Sequence, residues 1–246
     1  MASPTFVLPK NKAVKGMLCG VPSFGMVSTQ FWQSITQQCP PINFGMGYMT
    51  PEACRWDWVA NKPVEDWTEN GRYIPVDEGR NIIAYQALQA NVEWVFFRDD
   101  DTIAPPDAIN KLWNLARYAA DNGMKVPIVG GVYYSKQKPP QSLILCEDIG
   151  GYENYTPGEV IKCMAIGMGI TLIHTSLFRE IKPPWFKTVN GLVNNDIQDI
   201  APGGARMTED VYFCKKAAAL GHEVWCDTGV QGAHHHLLDL RPAPSL

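Results

Sequence analysis

The chain is 246 residues long, 46% hydrophobic and 19% charged, which fits one large α/β domain, ahead of two small ones, with a substantial core. Its formal net charge of −4 provides no electrostatic footprint for non-specific binding to nucleic acid or to an anionic membrane surface. Seven cysteines (Cys19, Cys39, Cys54, Cys146, Cys163, Cys214 and Cys226) form no CxxC pair and no zinc-like spacing, and an odd number argues against a full disulfide framework. A reducing, cytoplasmic setting is the simplest expectation. No secretory leader is evident, and the weakly polar run at residues 163–173 is too short to span a bilayer.

In chain order, residues 13–19 read as a buried strand ended by Gly20-Val21-Pro22-Ser23-Phe24-Gly25, a loop whose glycines would let backbone approach a ligand. A helix over 27–38 and a strand over 42–49 follow. Residues 50–75, rich in Trp, Pro and charge, read as an irregular excursion, where Trp56, Trp58 and Trp67 either line a cleft or pack the loop onto the core. Residues 77–89 carry Ile82, Ile83, Ala87 and Leu88 near helical spacing, and the apolar run 92–97 reads as a strand. Residues 106–122 read as a helix closed by Gly123, and 126–134 as another strand. This βαβαβαβ alternation predicts a mostly parallel sheet covered by helices on both faces, with ligands at the carboxyl ends of its strands.

The second half is less regular. Residues 162–174 read as a strand pair, or one long strand broken by Gly167-Met168-Gly169, and 176–181 as a short helix. Residues 187–206 contain glycines and no strong period, a pattern suited to a mobile active-site lid. Thr208 is placed to N-cap a helix running to Leu220 with Gly221 at its stop, and a last short strand at 223–226 precedes the segment from Asp227 to His236. No internal repeat and no domain linker are visible, so 1–246 reads as a single domain.

The densest chemistry sits directly behind the strand at 92–97, in Asp99-Asp100-Asp101. Along an extended chain Asp99 and Asp101 project one way and Asp100 the other. Two converging hard oxygen ligands suit a divalent cation, which offsets their mutual repulsion. The alternative is a solvated acidic turn capping the strand, helped by Thr102, Pro105 and Pro106.

The opening strand with its Val21-Pro22-Ser23 loop, Gly79-Arg80-Asn81, the Asp triple, Gly167-Met168-Gly169, Thr208-Glu209-Asp210 and the segment from Asp227 to His234 stand in an order that resembles a GT-A-fold glycosyltransferase. The likeness is to the inverting family 2 enzymes and covers nearly the whole chain. It implies an α/β, Rossmann-like GT-A domain whose residues 1–134 bind the nucleotide-sugar and whose residues 135–246 form the acceptor and catalytic half. It also implies that Asp99 and Asp101 hold Mn(II) or Mg(II), with His234 as a third ligand ahead of His235 and His236. Mixed carboxylate and imidazole ligation tilts the choice toward Mn(II). A cation touching both phosphates of the donor stabilises the charge that builds on the leaving nucleoside diphosphate. Asp100 then points elsewhere, to the sugar or the strand's other face.

The same resemblance makes Asp210 the general base of a single displacement, with Glu209 beside it in the catalytic pair. A retaining enzyme would instead use Asp210 to position the donor, and acids in a helix first turn are also favoured by the macrodipole alone. Arg80 and Asn81 are implied to approach the nucleotide or its phosphates, though a structural partner for Arg80 is the alternative. Pro22, Ser23 and Gly25 are implied to border the base through backbone contacts, and Gly167, Met168 and Gly169 to belong to the donor site. Two departures from the common family pattern are the lack of an acidic pair after the second strand and Arg98 before the aspartates; the first leaves the nucleobase open, with UDP favoured over GDP or CDP.

The leading expectation is therefore a metal-dependent transferase that moves a sugar from a nucleoside-diphosphate sugar to a hydroxyl acceptor. A sugar-nucleotide nucleotidyltransferase is one alternative, although the loop at 20–25 has no Lys or Arg for phosphates. A catalytically silent nucleotide- or carbohydrate-binding protein is another. The acceptor stays open among a saccharide, a protein and a hydroxylated DNA base; the charge balance offers DNA no support, and no basic amphipathic helix points to a lipid-linked acceptor.

Overall fold

A computed structural model describes residues 14–22, 28–39, 45–49, 55–64, 74–135, 140–146, 152–189 and 207–234. The elements in chain order are β1 (Val14–Gly20), α1 (Thr29–Thr36), β2 (Gly45–Met49), β3 (Arg55–Asp57), β4 (Lys62–Val64), α2 (Val76–Gln89), β5 (Val92–Arg98), β6 (Thr102–Ile103) and α3 (Ala108–Asp121). They continue with β7 (Ile128–Val132), β8 (Ile144–Leu145), β9 (Val160–Cys163), β10 (Ala165–Ile166), β11 (Ile170–His174), α4 (Ser176–Glu180), α5 (Glu209–Ala219), β12 (Val224–Gln231) and β13 (Ala233–His234).

The main sheet has seven strands in the order β2-β1-β5-β11-β7-β12-β9. Strands β2, β1 and β5 run parallel, as do β7 and β12, while β11 runs against both of its neighbours and β9 against β12. The mostly parallel α/β sheet read from the sequence is the observed one. Strand β5 shows why its sequence is almost continuously apolar. Val95 and Phe97 pack with residues of α2, α4 and α5 on one face, whereas Trp94 and Phe96 pack with Phe31, Ile35, Ile109 and Leu112 of α1 and α3 on the other. Both faces are buried, so alternation between apolar and polar residues is lost. Each such side chain contributes about 1.5–3 kcal/mol of burial.

Three readings from sequence change. Residues 162–174 form neither a strand pair nor one broken strand: β9 lies at the sheet edge, β10 pairs with β8, and β11 inserts between β5 and β7. The stretch 50–75 contains a regular piece, the hairpin β3–β4, whose Trp56 packs against Tyr85 and Trp185. The last long strand runs to Gln231 instead of stopping at Cys226, with an irregularity between Asp227 and Gln231 where it parts from β7.

The antiparallel course of β11 shapes the site. Its first residue, Ile170, sits beside Arg98, the last of β5. The carboxyl ends of β1, β5, β7 and β12 and the start of β11 therefore share one edge, where open α/β sheets bind ligands. Across that edge β13 pairs antiparallel with β6, which sets the backbone of His234 opposite Thr102.

Candidate active site

Face alternation in β5 carries through its last residue and one beyond. Arg98 falls on the α1 face, fully buried: its Nη2 donates to Ser34 Oγ at 2.8 Å and to the Thr102 carbonyl at 2.6 Å, and its guanidinium lies 5.6 Å from the Phe31 ring and 5.7 Å from the Phe96 ring. Asp99 then takes the α2 face. Immediately afterwards the chain turns, with Thr102 N donating to the Asp99 carbonyl at 3.1 Å. The extended backbone assumed for Asp99 and Asp101 thus ends at Arg98, and the spacing of the three carboxylates is set by a tight turn instead of a pleat. Asp100 and Asp101 are partly exposed on that turn, and Thr102 Oγ1 lies 3.4 Å from Asp101 Oδ1.

Arg80, in the second turn of α2, ties this turn to a helix far along the chain. Its Nη2 meets Asp99 Oδ1 at 2.6 Å, and its Nη1 forms a short ion pair with Glu209 Oε1 at the start of α5. Burial works against the charge on Arg80, yet Asp99 and Glu209 outweigh it and hold its pKa above the ordinary value. Burial raises the Glu209 carboxyl, and Arg80 acts in the opposite direction. With both terminal nitrogens engaged by carboxylates, Arg80 is placed as a bridge inside the site and not as a free fork for phosphate.

Asp210 is differently placed. Its Oδ1 accepts from Val211 N at 2.8 Å and, in a short hydrogen bond, from Thr208 Oγ1. Thr208 occupies the N-cap position read from sequence, but its hydroxyl serves Asp210 and makes no side-chain cap bond. Among the described residues Asp210 Oδ2 takes no hydrogen bond, so one oxygen of a half-buried carboxylate stays available for a proton.

Tyr133, directly after β7, completes the group and has no counterpart among the residues singled out from sequence. It is buried, its hydroxyl accepts from Gly169 N at 2.9 Å, and it lies 3.5 Å from Asp99 Oδ2. Burial pushes its phenol well above the ordinary range, Asp99 adds to this and Arg80 opposes it, so the hydroxyl keeps its proton. The missed signal was Gly167 and Gly169: a Cβ at either would meet the Tyr133 ring, at 2.9 Å and 2.8 Å from Cζ respectively.

Other expected site residues fall elsewhere. Asn81 is fully buried and uses all four of its hydrogen-bonding positions within the fold: Nδ2 donates to the Asp77 carbonyl at 2.8 Å and the Phe186 carbonyl at 2.6 Å, while Oδ1 accepts from Trp185 N at 2.8 Å and Phe186 N at 3.1 Å. It clamps the chain around residue 185 to α2 and has no capacity left for a nucleotide. Met168 is buried in the core beside α2 and α5, so the turn presents Gly167 and Gly169 to Tyr133 instead. Pro22 is buried just past β1, while Ser23 and Gly25 lie outside the described residues. So do the His234 side chain and residues 190–206 of the expected lid. Val189 and Met207 pair across that segment, N to O at 2.9 Å and 3.0 Å.

Among the described residues no three His, Cys, Asp or Glu side chains already form a metal-binding group. The oxygen donors present are of the type a hard divalent cation takes: Asp100 and Asp101 stand on the same turn as Asp99, whose Oδ1 is paired with Arg80. No described helix is long and apolar enough to cross a membrane.

No family model matches the chain, and no curated protein matches it either. Solved structures do. The crystal structure of A197 from STIV aligns with a TM-score of 0.56 at 16% identity, covering 90% of this chain and 86% of that one. The crystal structure of GalNAc-T7 with UDP, GalNAc and Mn2+ aligns with a TM-score of 0.53 at 8% identity, covering 92% of this chain and 45% of that one. This chain thus spans under half the length of the second neighbour. The fold is of the GT-A type, and at these identities the likeness is one of fold alone.

Proposed function

We propose that the chain is a metal-dependent glycosyltransferase that takes a sugar from a nucleoside-diphosphate donor, UDP favoured, and passes it to a hydroxyl acceptor with inversion. One observation carries this reading: the turn after β5 and the start of α5 converge on Arg80, so that Asp99 and Glu209 pair with one guanidinium and Asp210 acts on the same charge, although the chain separates them widely. A GT-A-type neighbour holding UDP, GalNAc and Mn2+ supports the same donor chemistry.

Asp99 and Asp101 would hold Mn(II) or Mg(II), with His234 as the third ligand; the β13–β6 pairing that sets the His234 backbone opposite Thr102 supports this set. When bound, the cation supplies Lewis-acid stabilisation of the leaving diphosphate. The remaining steps belong to side chains. Arg80 pairs with Asp99 through Nη2 and with Glu209 through Nη1, and so orients both carboxylates from one guanidinium. Asp210, fixed through Oδ1, takes the acceptor hydroxyl's proton on Oδ2 as the new bond forms. Glu209 positions Asp210 by anchoring the first turn of α5 to α2.

A thermal-shift panel of UDP-, GDP-, CDP- and TDP-sugars with and without Mn(II) tests the donor. Selective stabilisation by a UDP-sugar with Mn(II) is expected, about 2.7 kcal/mol at a hundredfold excess over Kd. In the same assay Asp99→Asn abolishes the Mn(II)-dependent shift, whereas Asp210→Asn retains it and lowers kcat for transfer or donor hydrolysis by about 10²–10⁴. Turnover unaffected by both substitutions would end this reading.

A further inference from the structure

We infer that Tyr133 is a positioning residue for Asp99, fixing the carboxylate on which the donor site depends; this rests on the function proposed above. Three hydrogen-bonding links form a closed ring. Asp99 N donates to the Gly169 carbonyl at 3.4 Å, Gly169 N donates to the Tyr133 hydroxyl at 2.9 Å, and that hydroxyl faces Asp99 Oδ2 at 3.5 Å. Both the backbone and the side chain of Asp99 are therefore referred to the same tyrosine and the same glycine.

The ring cannot relax by moving the phenol away. Tyr133 is 3% exposed, and the backbone at Gly167 and Gly169 lies so close that a Cβ on Gly169 would stand 2.8 Å from Tyr133 Cζ and 3.0 Å from Asp99 Oδ2. The two glycines flanking Met168 are what lets the aromatic ring reach the end of β5. With Gly169 N on one lone pair of the hydroxyl, its proton is aimed at the carboxylate. Arg80 holds Oδ1 from the α2 side at 2.6 Å, so Asp99 is anchored at one oxygen and faced at the other by the Tyr133 hydroxyl at 3.5 Å. Such a carboxylate offers its remaining lone pairs in one direction, and the loss of an outer partner of this kind weakens a cation site by about 10–100-fold.

Tyr133→Phe keeps the wedge and deletes the hydroxyl. Mn(II) affinity, measured by electron paramagnetic resonance on the full chain with and without UDP, is expected to fall about 10–100-fold. The near-ultraviolet dichroism of the core should stay unchanged, and saturating Mn(II) should bring kcat for donor hydrolysis back to within about threefold of wild type. A purely structural role would lower the folded fraction and leave the affinity of the folded protein alone. Wild-type Mn(II) affinity in Tyr133→Phe, alongside lost affinity in Asp99→Asn, overturns the role of Tyr133 and spares the cation site. Unchanged affinity in Asp99→Asn overturns the cation site itself. If Tyr133→Phe does not fold, Gly167→Ala, which keeps the hydroxyl but displaces the ring, is read the same way.

Discussion

Arg80 does the most with one side chain. It joins residues 19 and 129 positions away, and both partners are acids that its removal would leave in low-dielectric surroundings. Breaking one side of such a buried arrangement typically costs 3–5 kcal/mol. Because the Asp99 side chain keeps 22% of its surface, Arg80→Ala is expected at the lower end, about 3 kcal/mol by urea denaturation. Arg80→Lys should recover less than half of that, since an ammonium is a point charge and cannot serve both carboxylates as the planar fork does. A lysine variant as stable as wild type would show that the fork geometry is irrelevant. Arg80 was legible from sequence as a site residue, but its partners were not. A motif shows that a guanidinium is available; only the approach of α5 shows that two carboxylates already occupy it.

At the scale of elements, the first turns of α2 act as an anchor. Asn81 binds the chain at Trp185 and Phe186, Asp77 Oδ2 accepts from Thr188 N at 3.0 Å, and Glu78 Oε2 accepts from Trp56 N at 3.2 Å. The anchored segment leads to Val189, whose pairing with Met207 stands two residues before Glu209. Asn81→Leu should therefore cost about 3 kcal/mol, from buried backbone groups at residues 77, 185 and 186 left without partners. It should also raise hydrogen exchange at the Val189 and Met207 amides by more than at β5. Equal protection at those amides in the variant would contradict the anchoring role. Gly79-Arg80-Asn81 was read from sequence as a nucleotide-binding helix start, and the structure divides it: Arg80 faces the site, and Asn81 faces the core.

At the scale of the whole molecule, buried thiols couple stability to pH. Cys19, Cys163, Cys214 and Cys226 are free and buried, and burial pushes Cys19 and Cys214 from 9.0 up to about 12, with Cys163 and Cys226 also raised. These folded-state values lie above the unfolded one, so the native state binds more protons between pH 9.0 and about 12. The stability they confer is complete below pH 9.0 and falls as pH rises through that window, by about 1.4 kcal/mol per pH unit for each thiol. Urea midpoints at about pH 8 and about pH 10.5 check this, and equal midpoints would refute it. The same chain shows where a sequence is informative and where it is not. Apolar runs, helix stops and the acidic residues at element ends are local, encoded within a turn or a strand, and from them the α/β class, the order of most elements and the positions of Asp99 and Asp210 could be read. The insertion of β11 between β5 and β7, the bridge from Arg80 to Glu209, the wedge of Tyr133 against two glycines and the placing of His234 beside Thr102 depend on contacts between residues distant in the chain. Those were decided in the tertiary structure, because burial and strand pairing choose partners by shape and register, which no short stretch of sequence contains.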